Sequence, residues 1–282
     1  MVENYRLSED EARRRFDEEI AEVFDWEPSE QPVLSVVAAQ PGAGKSALQQ
    51  AVARKRRSTV LDLDNLRSMH PDHEELSRSD DRTAAYLTHA DCRRWLDWAF
   101  DLALENRSSV VWGCTLSNVD NARARLENFA VAGYVVEAFY LSVHEAQSRM
   151  GIVHRYWRER SSNGWGRFTP RQIHDEAYEQ LPLSAVNLES DDLLEREYIY
   201  KRGNRRLHFN YRHEAGHWRK AINCGDRILR ERGRRPWTVR ERVNFSHHMN
   251  ELASAVPLDL QLELGEISEI SIPFLISWAE AG

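Results

Sequence analysis

The apolar positions of this chain follow two rhythms. Some form short unbroken runs and others recur at helical spacing. Residues 33–37, VLSVV, make a nearly continuous apolar run between Pro32 and a glycine-rich turn, which predicts a strand buried on both faces. Further short runs predict strands at 59–64, 110–112 and 134–143, and two more at 197–201 and 206–211 around the turn Gly203-Asn204. Helical spacing fills the intervals. Ser8-Glu9-Asp10-Glu11 is a capping box, and Phe16, Ile20, Val23 and Phe24 give the helix behind it one apolar face until Pro28 and Pro32 close it. A helix follows the glycine turn to about Arg57. Another spans 86–106 and carries Trp95, Trp98, Phe100 and Leu102 as core residues. Residues 119–132 predict a helix with Gly133 as its C-cap, and 144–160 predict the next. Thr169-Pro170 begins another, with Thr at the N-cap and Pro at the first helical position. Residues 221–255 read as helical with breaks at Gly233 and Pro236-Trp237-Thr238, whereas 258–278 alternate weakly and predict a strand pair. Strands alternating with helices imply an α/β fold: a mostly parallel central sheet with helices on both faces and a helical C-terminal extension.

Chemistry enters at the first turn. Gly44-Lys45-Ser46 ends a phosphate-binding loop of the form G-x-x-x-x-G-K-[ST], with Ala39 in place of the first glycine. Gln40, Pro41, Gly42, Ala43, Gly44, Lys45 and Ser46 are therefore the candidate nucleotide-binding residues. The glycines can turn backbone N–H groups toward phosphate, and the following helix presents its N-terminus to the same anion. Lys45 adds a full charge, and the Ser46 hydroxyl can ligate Mg2+. ATP or GTP is thus implied as substrate. In open parallel sheets ligands bind beyond the carboxyl ends of the strands. Asp64, at the end of 59–64, suits a base for an acceptor hydroxyl or an N-cap for the next helix. Asp62 is the weaker candidate for the base and suits inward hydrogen bonding to the P-loop. Arg155 and Arg167 flank a Gly- and Ser-containing stretch expected to be mobile, and guanidinium groups there can neutralise a transferring phosphoryl group. Arg158, Arg160, the basic run 54–57 and the arginines between 230 and 242 read as solvated faces.

Composition narrows the partners. The chain has 282 residues, 41% hydrophobic and 29% charged, with a formal net charge of −7, which speaks against general nucleic-acid binding. Cys92, Cys114 and Cys224 have no paired or metal-type spacing, so free thiols in a reducing cytoplasm are expected. The charged N-terminus lacks a secretory pattern, and no apolar run reaches membrane-spanning length. His213-Glu214-Ala215-Gly216-His217 matches H-E-x-x-H in form, but with an internal glycine and no preceding apolar helix it reads as a chance match.

The markers AAQPGAGKSAL, LDLDNLRSMHP, GCT before a helix, HRYW and GRFTPRQIHD occur in that order and together resemble the zeta-toxin family of P-loop kinases, over roughly residues 10–210. The resemblance implies a P-loop kinase domain over 1–212, including an N-terminal brace helix; residues 213–282, which no family motif anchors, read as a helical extension of unknown role. It implies ATP- and Mg2+-dependent phosphorylation of the sugar 3′-hydroxyl of UDP-N-acetylglucosamine, toxicity to the cell and a small antitoxin partner, and the composition adds a cytoplasmic location with neither nucleic acid nor membrane as partner. Position by position, Lys45 and Ser46 match the nucleotide and Mg2+ residues, Asp64 the catalytic base, Thr115 a substrate-contacting threonine, and Arg155 and Arg167 the two phosphate arginines. His70 belongs to the family's His-Pro turn and is carried over as substrate-binding. The family's sugar-gripping helix glutamate falls near Leu96 or Asp97, and of the two Asp97 carries the carboxylate. Ser117 and Arg125 stand where the family usually has other substrate-contacting residues. Gly113 replaces the glutamate that the family usually places before Gly-Thr, which leaves open the same chemistry on another acceptor, such as NAD, another UDP-sugar or an antibiotic. A catalytically silent nucleotide-binding module is the third reading, and the intact set Lys45, Ser46, Asp64, Arg155 and Arg167 speaks against it.

Overall fold

The computed structural model describes residues 5–233 and 235–275. Its strands are β1 (Val33–Ala38), β2 (Thr59–Asp62), β3 (Val110–Cys114), β4 (Val135–Leu141), β5 (Arg196–Lys201) and β6 (Arg205–Tyr211). Among the described residues they form one sheet in the order β2-β3-β1-β4-β5-β6. The first five run parallel, and β6 returns antiparallel on β5. Alternation along β1 explains why helices cover both faces. Leu34, Val36 and Ala38 pack with Trp95 and Phe100 on one side, while Val37 packs with Leu48, Val52 and Phe139 on the other. The sheet is thus mostly parallel and wrapped by helices, as the sequence pattern predicts.

The helices are α1 (Glu9–Arg15), α2 (Lys45–Arg56), α3 (Leu63–Arg67), α4 (His73–Ser79), α5 (Ala84–Leu87), α6 (His89–Glu105), α7 (Val119–Val131), α8 (Glu145–Asn163), α9 (Arg171–Ser190), α10 (Cys224–Gly233), α11 (Val239–Ala255) and α12 (Leu258–Leu275). None is long and apolar enough to cross a membrane.

Several boundaries differ from expectation for identifiable reasons. The first helix loosens into a π turn at Phe16–Ile20 and a 3-10 turn at Ala21–Val23. Phe16 and Ile20 stay buried there, but Val23 turns outward. The second strand stops at Asp62, because the Asp62 carboxylate accepts the Asp64 N–H and caps α3. The N-cap is therefore Asp62, and Asp64 is free for another role. The helix expected over 86–106 breaks between α5 and α6. Helix α8 continues to Asn163, so the segment expected to be a mobile loop is largely helical. Helix α9 begins at Arg171 with Pro170, not Thr169, in the cap position.

The largest correction concerns 258–278, where a helix replaces the expected strand pair; residues 276–278 lie outside the described residues. Leu260, Leu264, Ile267 and Ser271 are buried at helical spacing, while exposed Leu258 and Leu262 create the misleading alternation. Between α10 and α11 the expected break occurs, and Thr238 and Glu241 form a capping box there. The C-terminal helices pack on α8 through Met150, Val153 and Tyr156 against Phe245, Leu252 and Leu264. Arg149, buried on α8, pairs with Glu263 and Glu266 of α12 at 2.7 and 2.6 Å.

Individual arginines in both basic stretches are less solvated than expected, while Arg54, Arg57, Arg230 and Arg240 are exposed. Arg56 binds the fully buried Glu137 at 2.5 Å, and Glu137 also accepts from Ser35 at 2.7 Å. Arg232 is 1% exposed. An arginine's stem covers apolar surface as readily as it reaches into water, so composition alone does not separate the two fates.

Candidate active site

The carboxyl ends of β1, β2 and β3 converge on one edge, and each supplies part of the site. After β1 the chain turns through Gly42 (φ +75°) and Gly44 (φ +97°), both in the left-handed region that glycine tolerates. Gly42 is also a close approach: a Cβ there would lie 2.0 Å from the Ser148 carbonyl oxygen on α8. Gln40 does not face the loop's open side. Its amide donates to the Val143 carbonyl (2.9 Å) and to Ser148 Oγ (3.3 Å), and its oxygen accepts from Arg232 (2.7 Å). The P-loop is thus braced by a C-terminal arginine, which also donates to the Tyr178 carbonyl. Ala39 is buried, and its N–H donates to the Cys114 carbonyl at 3.2 Å, an extension of the β1–β3 pairing. Pro41 is half-buried and Ala43 fully buried, so packing fixes the loop's shape. The Ser46 hydroxyl lies exposed on the first turn of α2, where a hard oxygen donor suits Mg2+.

Lys45 reaches across to β2, its Nζ 2.9 Å from Asp62 Oδ2. Burial lowers the lysine's proton affinity, but Asp62 and Asp64 outweigh it and hold Lys45 above its ordinary value, so it stays charged. Gln49 donates to the same Asp62 oxygen at 2.8 Å. Asp64 stands two residues on, its Oδ1 on Arg67 and its Oδ2 2.5 Å from Arg167. Burial raises the Asp64 carboxyl, but Arg167, Arg67, Lys45 and Arg155 prevail and hold it below the usual carboxylate range.

Arg155 projects from α8 and donates to Thr169 Oγ1 at 2.9 Å, while the Arg167 N–H is held by Glu159 at 2.7 Å. Burial, then Arg167, brings Arg155 down to about 10, so it remains a cation at neutral pH. The Nε of each of these arginines is buried without a hydrogen-bond partner among the described residues. Four cations, Lys45, Arg67, Arg155 and Arg167, therefore surround two aspartates, and all three guanidinium groups retain an unpartnered Nε among the described residues. Such a site is poised for an added anion.

Other expected site residues have partners of their own. His70 is buried beside Trp95, its ring nitrogens directed at Asp91 (3.3 Å) and the Asp72 N–H (3.2 Å). Both nitrogens are satisfied, so the His-Pro turn here locks α3 against α6. Asp97 pairs with Arg125, whose guanidinium lies 3.9 Å from the Phe100 ring centroid. A carboxylate so engaged has less capacity to grip a sugar. Leu96, the alternative, is buried. Thr115 is half-buried, with its Oγ1 3.0 Å from Ser117 Oγ.

Gly113 sits in register between Val37 and Asp62, under the site floor. A Cβ at 113 would lie 1.9 Å from Gln49 Nε2 and 2.2 Å from Asp62 Oδ2. The space that the family's glutamate would enter is already filled, and Asp62 supplies a carboxylate there from the neighbouring strand. Gly113→Glu is therefore expected to destabilise the protein by about 1–3 kcal/mol or more without raising activity. Adding Gln49→Ala should recover part of that loss. Denaturant midpoints of the two variants check this; an unchanged midpoint for Gly113→Glu would contradict the packing.

Gln49, Arg67 and Arg232 were not identified as site residues from the sequence. Arg67 lies in the quoted string beside Asp64, three residues on, so helical i,i+3 spacing was the available signal. Gln49 and Arg232 left none, since their partners are 13 and 192 positions away. Next to the P-loop a cavity of about 490 Å3 opens between α8, the β5–β6 turn and α11, bordered by Gly151, Arg202, Gly203, Trp237 and Asn244. Gly151 abuts the loop so closely that a Cβ would come within 2.3 Å of the Gly42 carbonyl oxygen.

A sequence model of the family described as Zeta toxin matches residues 17–214. The toxin zeta of Enterococcus hirae is 24% identical over 190 residues, covering 64% of each chain. Toxin PezT of Streptococcus pneumoniae serotype 4 is 24% identical over 177 residues, 62% of this chain and 70% of that one. The chain thus spans just under two thirds of the length of the zeta toxin, and somewhat more of PezT. Among solved structures, one from the characterisation of the PezAT chromosomal toxin-antitoxin system of Streptococcus pneumoniae superposes with a TM-score of 0.74 at 18% identity, covering 88% of this chain and 98% of that one. The structure of AvrRxo1-ORF1:-ORF2 with ATP gives 0.55 at 12% identity, covering 92% and 86%. These likenesses agree with the α/β fold described above.

Proposed function

Because the chain belongs to the zeta-toxin family, we propose that it is an ATP-dependent small-molecule kinase acting as a toxin. One observation carries the reading: the Asp64 carboxylate, in the first turn of α3 just beyond β2, is held between Arg167 and Arg67 within the field of the P-loop lysine. That is the layout of a phosphoryl-transfer site, where catalysis is mostly positioning and charge neutralisation. The P-loop N–H groups and Lys45 receive the phosphates of ATP. The neighbouring cavity takes the nucleoside. Ser46 helps hold Mg2+, which supplies charge neutralisation at the phosphate oxygens when bound. Arg155 and Arg167 exchange their present oxygen partners for those of the γ-phosphate. As Arg167 leaves Asp64, the carboxylate regains proton affinity and accepts the proton of the acceptor hydroxyl.

The acceptor is a nucleotide sugar, with the 3′-hydroxyl of UDP-N-acetylglucosamine first on the grounds of family membership. Two observations favour a different acceptor within the same chemistry. The space at Gly113 is filled by Gln49 and Asp62, and Asp97 is committed to Arg125. A site that hydrogen-bonds one sugar rejects analogues strongly when its polar partners change. The relative described as part of a toxin-antitoxin system supports a small protein antitoxin as partner.

Incubation with ATP-Mg2+ and a panel of UDP-sugars, NAD and antibiotics, read by mass spectrometry, tests both points. A single added phosphate on UDP-N-acetylglucosamine is expected under the first reading, and on another member under the second. Phosphate on none of them, with ATP bound, would count against the kinase assignment.

A further inference from the structure

A second cluster of chemistry-bearing side chains lies on the seam between α8 and α11, with His154 and His248 on the wall of the cavity next to the P-loop. His154 comes from α8, and His248 and Glu251 come from successive turns of α11. One ligand atom of each lies within 4.8 Å of the other two, and among the described residues no other such group of three occurs. The two imidazole rings are 5.2 Å apart and tilted by 60°. His248 Nδ1 is buried and makes no hydrogen bond; it stands 3.5 Å from Glu251 Oε2.

That separation is informative. It is long for a hydrogen bond, yet close to the edge of about 3.3 Å expected between two ligands of a tetrahedral ion bound at roughly 2.0–2.1 Å. The backbones carrying these ligands are already fixed. Val153 and Tyr156 beside His154 pack in one apolar cluster with Phe245 and Leu252 around His248 and Glu251. Little ordering therefore remains to be done when an ion arrives.

We infer that His154, His248 and Glu251 form a site for a borderline divalent cation of the Zn2+ class, with a fourth position open to water. Two imidazoles and one carboxylate are the donor set that suits such ions, while Mg2+ prefers oxygen alone. The ion ties the C-terminal helices to α8 at the residue directly before Arg155. The inference does not depend on the kinase reading. It also separates this site from His213 and His217, which lie in a turn closed by the His213 N–H to the His217 carbonyl at 2.9 Å.

The test uses the untagged, chelator-stripped full chain without nucleotide. Zn2+ is titrated against a chromophoric chelator, with Co2+ as a spectroscopic probe of tetrahedral geometry. One Zn2+ per chain is expected, with a rise in Tm of roughly 5 °C at a hundredfold excess over Kd. His248→Ala and His154→Ala should weaken binding by more than about 100-fold, beyond what loss of an outer-shell partner causes. Glu251→Gln, at a largely exposed position, should weaken binding with the fold intact, and His213→Ala should change nothing. No Zn2+ binding, equal affinity in all variants, or loss confined to His213→Ala would each overturn the inference.

Discussion

Arg167→Ala is expected to lower turnover by roughly a thousandfold or more, the range found when an arginine that neutralises the transferring phosphoryl group is removed. Arg167 meets Asp64 through one guanidinium nitrogen, while its Nε is buried without a partner and its backbone is pinned by Glu159. Arg155 stands beside it, so the two guanidinium groups can take a further anion besides Asp64, and under the proposed reading that anion is the γ-phosphate. The loss should fall on kcat more than on KM for ATP, since Lys45 and the P-loop backbone remain. Arg167→Lys should restore only part, because an ammonium lacks the planar fork. Single-turnover kinetics check the partition; a change confined to KM would place Arg167 in ground-state binding alone.

Asp64→Asn should lower phosphoryl transfer by about 100- to 10,000-fold, the usual span for a lost general base. ATP binding should change little, because the Lys45–Asp62 pair is untouched. The pH dependence has a definite sign. The folded carboxyl lies below its ordinary value, since Arg167, Arg67, Lys45 and Arg155 outweigh burial. Its stabilising contribution is therefore complete above the unfolded value and is lost as pH falls through the folded one. The acid limb of the wild-type rate of free enzyme should accordingly sit below the usual carboxylate range and disappear in Asp64→Asn. Unchanged turnover in that variant would remove Asp64 from the chemistry. Since Arg167 and Asp64 share an ion pair, the double variant should lose less than the sum of the singles.

The donor half of the site was legible because its signals are local. Glycines at 42 and 44, Lys45 and Ser46 are contiguous, and the buried strand before them leaves one place for the turn. The position of Asp64 beyond the second strand was legible from the apolar run before it, although that strand ends at Asp62 and Asp64 opens α3. The fate of the arginines was not. Arg230 is largely exposed and Arg232 wholly buried within one arginine-rich stretch, because helix α10 turns one toward solvent and the other toward Gln40. The C-terminal helix α12 was misread because exposed leucines broke its helical period.

By itself, the sequence determined the α/β alternation, the P-loop and the presence of Asp64 just beyond a strand, since each follows from spacing along a few residues. The tertiary structure decided which of the distant arginines reach the site, and whether a side chain fits at Gly113. Those outcomes depend on groups far apart in the chain meeting in a space only a few ångströms wide. There, the packing of Gln49 against Asp62 selects what the floor of the site can hold.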